Sequence, residues 1–190
     1  MINIMDFNSK IWGPAVWYSL HQIAYNFIRE DKTISPSDGK YLEKYFGTLK
    51  SLLPCPSCRE HFGVTLKKNP VSKKVSSSEK IFQWTAIAHN LTNKGLRKKI
   101  YKLSEAKNVH SKPFDEKLFE NYIKYILVMS SNKKWTERKS HAIHLIKLYP
   151  SSKKRDDVLV FSLENDPNKI ENTAQMTIWA KKLLDVLQKA

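Results

Sequence analysis

Leu53-Pro54-Cys55-Pro56-Ser57-Cys58-Arg59-Glu60-His61-Phe62 is the stretch on which the reading of this chain turns. Two prolines mark a helix boundary inside it. Pro54 restricts the residue before it to extended conformations, so a helix arriving from upstream stops there. Pro56 suits a first helical position, where an amide would lack an intrahelical acceptor anyway. The stretch therefore joins two helices and puts Cys55 and Cys58 at the start of the second. The chain of 190 residues has no other cysteine. A disulfide across so short a loop constrains little unfolded-chain entropy, and a structural zinc site needs four ligands. The unpaired amides and positive dipole end of a first helical turn favour a thiolate, and Arg59 and His61 can add positive charge nearby. The spacing thus favours a redox-active pair. Two readings stay open beside it. One is a zinc site on Cys55, Cys58 and His61, completed by His110, His141 or His144. The other is a pair of inert, buried thiols.

Working outward, Ser35-Pro36 has the pattern of an N-cap followed by the first helical residue. Tyr41, Leu42, Tyr45, Phe46, Leu49 and Leu53 give that helix an apolar face. Before it, residues 9–29 read as a helix with Trp17, Leu20, His21, Ala24 and Ile28 at helical spacing. The cysteine helix runs past Phe62 and Leu66 to Asn69-Pro70, and a polar loop follows over 71–78. Ser76 and Glu79 have capping-box spacing and predict a fourth helix over 79–94, with Ile81, Trp84, Ala88 and Leu91 on one side. A short basic segment spans 97–107, and Pro113 marks a boundary. Beyond it, helices are expected around Leu118–Ile126 and Trp135–Tyr149, a basic loop over 151–155, a short strand at Val158–Phe161 and a last helix over Thr173–Gln188. There is no internal repeat.

Composition bounds the function classes. Hydrophobic residues make up 41% of the chain, including five Trp, eight Tyr and eight Phe. That suits one domain, or a compact domain with an appendage. No apolar run reaches the roughly 18 residues of a membrane span, and the first ten residues lack a signal-peptide pattern. The expected location is therefore cytoplasmic, with no membrane partner. None of the five glycines forms GxGxxG or a P-loop, so a nucleotide would have to be held without a dinucleotide-binding turn. The formal net charge is +15. It suits phosphate or an acidic partner, and it supports the alternative of a basic nucleic-acid-binding or scaffold protein using Lys67, Lys68, Lys73, Lys74 and residues 94–102. Nucleic acid is not the expected partner, because no recognised binding motif is present.

Three blocks in order carry a family resemblance. The first is Trp12-Gly13-Pro14-Ala15-Val16-Trp17-Tyr18-Ser19-Leu20-His21 with Ala24-Tyr25. The second is the cysteine stretch. The third is Trp84-Thr85-Ala86-Ile87-Ala88-His89-Asn90-Leu91-Thr92-Asn93 with Leu96 and Lys98. Together, over residues 10–108, they resemble the Erv/ALR family of FAD-linked sulfhydryl oxidases. The resemblance implies an all-α fold: a four-helix bundle with a short fifth helix over residues 1–110, holding FAD in its mouth. Residues 111–190 would be a mainly helical C-terminal extension. It implies catalytic Cys55 and Cys58, with Cys55 met by the substrate and Cys58 against the flavin. It also implies a cofactor site drawn from Trp12, Gly13, Trp17, His21, Tyr25, His61, Trp84, His89, Asn90, Asn93 and Lys98, with no metal. Electrons would pass from a dithiol protein, or a thioredoxin-like redox partner, to O2, giving hydrogen peroxide, in a homodimer.

The chain departs from the family pattern in two places. A further family disulfide would fall at Ala86 and Leu103, which are apolar here. No second, shuttle cysteine pair exists. This minimal set resembles the oxidases of large cytoplasmic DNA viruses, which implies a role in virion assembly, in host cytoplasm or the virion.

Overall fold

Local caps set the starts of the bundle helices, and they fix the path of the chain. In the computed structural model, which describes residues 8–130, 134–150 and 152–189, Asn8 caps α1 (Ser9–Arg29) by accepting the amide of Lys10. Ser35 and Asp38 form a reciprocal capping box ahead of α2 (Pro36–Leu52), with Pro36 at the first position. Cys55 itself caps α3 (Pro56–Lys68), its sulfur accepting the amide of Cys58. The segment read for a signal peptide falls mostly on residues 1–7, and Ser151 begins the basic loop; both lie outside the described residues.

The fourth helix corrects one expectation. Its cap is Ser77, not Ser76, and α4 spans Ser78–Gly95. Val75 packs against Gly39, where a Cβ would lie 3.2 Å from its methyl. Ser77 is the residue with extended backbone, and its hydroxyl accepts the Lys80 amide (3.2 Å), one of the amides that the first turn leaves without a partner. The loop before it also holds one short 3-10 turn, Val71–Lys73. α5 (Leu103–His110) is the short fifth helix.

The extension is helical throughout its described elements: α6 (Glu116–Ile123), continued by a π turn at Lys124–Val128, then α7 (Trp135–Lys147), α8 (Arg155–Glu164) and α9 (Thr173–Gln188). The expected strand at Val158–Phe161 is part of α8. No strand exists among the described residues to pair with it, and an unpaired strand would leave its backbone groups unsatisfied. Asp156 and Asp157 in the first turn favour the helix N-terminus, and Val158 and Phe161, three apart, bury together.

α6 packs on α1 and α7 packs on α2. One hydrophobic core runs from Leu20 and Phe46 in the bundle to Phe119, Leu145 and Leu183 in the extension. Between the two parts lies a closed polar chain. Tyr45 donates to the Tyr122 hydroxyl (2.5 Å), and Tyr122 donates to His141 Nε2 (2.5 Å). His141 Nδ1 faces Thr48 Oγ1 (2.7 Å), and Thr48 donates to the Tyr45 carbonyl (2.8 Å). Each of these side-chain groups has a partner, which makes burying the chain tolerable.

Candidate functional site

α1, α3, α4, α5 and the 96–101 loop enclose a cleft of 1010 Å³, at the upper end of the range that holds small-molecule ligands (roughly 300–1,000 Å³). Gly13, Trp17 and His21 repeat every four residues and present one face of α1 to it. Cys55, Cys58, His61 and Phe62 come from the start of α3. His89, Asn90 and Asn93 come from α4, and Lys98, Lys99 and Tyr101 from the loop. Trp12 is buried and also borders the cleft.

Two expected residues stand elsewhere. Trp84 is buried on another face of α4, donating from Nε1 to the Asn69 carbonyl (2.8 Å) and packing on Phe46. Five residues before His89, it points about 140° away around the helix. Tyr25 lies two turns beyond Trp17, about 12 Å along the axis. It packs edge-on against Phe82 and carries the Arg29 guanidinium over its ring.

The cysteine turn is oxidised: Cys55 and Cys58 form a disulfide with a Cα–Cα distance of 5.2 Å. Cys55 Sγ also lies 3.1 Å from Ser57 Oγ. Arg59 donates from Nη1 to the carbonyls of Leu53 (2.8 Å) and Pro54 (3.2 Å). It therefore ties the end of α2 to the start of α3 and keeps a positive charge behind the turn, where it favours a thiolate. Among the described residues, no group of three or more His, Cys, Asp or Glu is arranged to hold a metal. His141 sits in the Tyr45–Tyr122 chain, and His144 bonds to the Ser140 carbonyl of its own helix.

Opposite the cysteines stands a cluster of aromatic and imidazole rings. Trp17 stacks on His89 with ring centroids 4.3 Å apart and planes 1° off parallel. His89 Nδ1 lies 3.0 Å from His21 Nε2, and His21 Nδ1 lies 2.8 Å from Thr85 Oγ1. His110 lies against His21, 4.5 Å between centroids. Burial pushes His89 and His110 down to about 4, and drives His21 well below the ordinary range. The cluster is neutral at pH 7. Asn90 and Asn93 border the cleft, yet their amides are engaged. Asn90 donates to the Tyr101 carbonyl (2.8 Å) and accepts its amide (3.0 Å), and Asn93 donates to the Lys99 carbonyl (3.1 Å). Together they clamp the loop that carries Lys98 and Lys99 against the helix.

Sequence reasoning did not find Thr85 or Leu118 as site residues, and it named His110 only as a zinc ligand. Thr85 meets His21 across 64 residues of chain, His110 reaches it from the far end of α5, and nothing local marks either contact. Leu118 belongs to α6, in the extension, and lines the cleft. Tyr18 holds that helix in place, its hydroxyl 2.5 Å from the Asp115 amide that donates to it. Five large apolar side chains on the cleft wall remain exposed: Val64, Leu91, Leu96, Tyr101 and Val109. Such a wall suits a large, flat, partly apolar ligand. The lysines at its edge suit that ligand's phosphates.

The Erv1 / Alr family model matches residues 14–112. An FAD-linked sulfhydryl oxidase of African swine fever virus is 38% identical over 104 residues, covering 52% of this chain and 79% of the viral protein. A probable FAD-linked sulfhydryl oxidase of Acanthamoeba polyphaga mimivirus is 30% identical over 114 residues, covering 58% of this chain and 76% of that protein. An FAD-linked sulfhydryl oxidase of Oryza sativa is 36% identical over 89 residues, covering 47% of this chain and 43% of the plant protein. No solved structure matches the chain.

Proposed function

Because the chain belongs to the Erv1 / Alr family, we infer that it is an FAD-dependent sulfhydryl oxidase that makes disulfides in dithiol proteins through Cys55 and Cys58. The observation that carries this is the disulfide-bonded cysteine turn opening into the same cleft as the stacked Trp17–His89 pair and the Lys98–Lys99 edge. The cleft residues fit FAD: apolar side chains are exposed for a ring system, and Lys98 at the edge offers a cation to its phosphates, while Lys99 pairs with Glu105 (3.0 Å). Trp12, Gly13, Trp17, His21, His61, His89, Asn90, Asn93 and Lys98 would hold it, with Leu118 closing one part of the wall. Tyr25 and Trp84 would support those residues from behind. When bound, FAD supplies the two-electron chemistry that links thiols to an electron acceptor.

The chain's own work is the exchange. A substrate thiolate attacks Cys55 Sγ; the new S–S bond joins substrate to Cys55, and the Cys55–Cys58 bond breaks with its electron pair leaving on Cys58. A second substrate thiolate then attacks the substrate sulfur of that bond, releasing the oxidised substrate and leaving both cysteines reduced. The first turn of α3 and the Arg59 charge stabilise the thiolates so formed. We propose O2 as the final acceptor, with hydrogen peroxide as product. The direct test is oxygen uptake by the purified protein on addition of a dithiol. Uptake that saturates with dithiol is expected, and none beyond the background of free flavin would overturn the proposal.

Two of the relatives named FAD-linked sulfhydryl oxidases are viral; we propose that this chain acts in the cytoplasm on virion proteins, with a thioredoxin-like partner as the other source of electrons. We also propose a homodimer. Sedimentation should give about twice the 22.2 kDa chain mass; a species at the chain mass would contradict it.

His89→Ala removes the ring that Trp17 stacks on and that borders the cleft. Loss of the ring surface that His89 offers a ligand, and of one hydrogen bond to it, amounts to about 2 kcal/mol, or roughly 30-fold weaker FAD retention. Equilibrium dialysis against FAD checks it, and unchanged occupancy would make His89 a plain core residue.

A further inference from the structure

One hydrogen-bonded series in the bundle links the Phe82 carbonyl, Thr85, His21 and His89. Thr85 Oγ1 donates its single proton to the Phe82 carbonyl, 2.7 Å away and one turn back in α4. Toward His21 Nδ1, at 2.8 Å, it can only accept. The proton in that bond therefore sits on Nδ1 of His21. The ring is buried and neutral, so its Nε2 is a bare lone pair. That lone pair meets His89 Nδ1 at 3.0 Å, which puts the His89 proton on Nδ1 as well. His89 is neutral too. No hydrogen bond of the described residues engages its Nε2, and the ring borders the cleft.

We propose that Thr85 is a positioning residue which, acting through His21, locks His89 in the Nδ1–H tautomer, so that the cleft meets a hydrogen-bond acceptor at His89. The consequence, resting on the flavin reading above, is that His89 selects a donor on the bound nucleotide, an amino or hydroxyl group. Trp17, stacked parallel on the ring, holds the plane in which that acceptor points.

The molecule contains the same device a second time. Thr48 donates to the Tyr45 carbonyl three residues back and accepts from His141 Nδ1, leaving His141 Nε2 to accept from Tyr122. The adjacent His110 has the opposite assignment. Arg29 fixes the Gln22 amide by donating to its oxygen (2.8 Å), so Gln22 Nε2 donates to His110 Nδ1 (3.4 Å). His110 then carries its proton on Nε2.

The test is a long-range proton–nitrogen spectrum of the full chain labelled with nitrogen-15 histidine, at neutral pH and with its flavin. Protonated Nδ1 is expected at His21, His89 and His141, and protonated Nε2 at His110. Thr85→Val should move His21 and His89 off that tautomer and speed FAD release about 5-fold, the worth of one hydrogen bond of about 1 kcal/mol. Thr85→Ser should restore both. A wild-type His89 protonated on Nε2 would overturn the proposal, as would Thr85→Val leaving both rings unchanged. The expected tautomers in protein that binds no FAD would uphold the lock and overturn only the cofactor reading.

Discussion

Cys58→Ser abolishes dithiol oxidation, with turnover falling by at least about 1,000-fold, the order seen when a catalytic nucleophile is removed. Bound flavin is retained. The chain has two cysteines, so no other thiol can take over the second half of the exchange. Cys55 alone is a free thiol and offers a substrate thiolate no S–S bond to attack. Serine holds its proton at neutral pH and makes no S–S bond, so the pair cannot be regenerated. The fold survives for separable reasons. The introduced hydroxyl would stand in the first turn of α3, where a short polar side chain is tolerated. The Cys55 cap is untouched, because it accepts the backbone amide at position 58 and does not depend on the side chain there. An oxygen electrode measures turnover and visible absorbance measures flavin. Turnover within tenfold of wild type would place the chemistry elsewhere.

Acid unfolds this protein through its buried histidines. His21, His89 and His110 form one buried cluster and His141 sits in another. Burial holds His89 and His110 at about 4 and His141 at about 3, with His21 also well depressed. In the unfolded chain each would titrate near 6.5. Below that pH the unfolded chain binds more protons than the folded one, so stability falls as pH falls. Above it, these groups contribute fully. Each histidine removes up to about 1.4 kcal/mol per pH unit, so four remove about 5 kcal/mol per unit between pH 6 and 4. A domain of ordinary stability, about 5–15 kcal/mol, would unfold between about pH 4 and 5.5. Far-ultraviolet circular dichroism against pH checks this. A protein still folded at pH 3 would show that these rings are not held neutral.

The parts legible in the sequence were those encoded locally. The CPSC turn, the Ser35-Pro36 start and the Thr173–Gln188 helix rest on caps and spacing that a short window contains. The strand expected at Val158–Phe161 failed because the same two apolar side chains satisfy an i, i+3 helix face. Within the cleft, Gly13, Trp17, His21 and His89 could be read from periodicity and family resemblance. Trp84 and Tyr25 could not be placed, because their direction depends on where around the helix the bundle opens. Thr85 and Leu118 were hidden for another reason. Each acts through a partner far along the chain, and the hydrogen bond that gives Thr85 its role exists only once α1 and α4 pack. The covering of α1 and α2 by α6 and α7 belongs to the same class: amphipathic periodicity predicts that those faces are buried, not what buries them.

The most direct test of the oxidase function is to follow the visible spectrum of the purified protein while a dithiol is added without oxygen. An oxidised-flavin spectrum is expected that bleaches with the dithiol and returns when air is admitted, with free FAD released on denaturation. A colourless protein that takes up no FAD, or a bound flavin that no dithiol reduces, would contradict it.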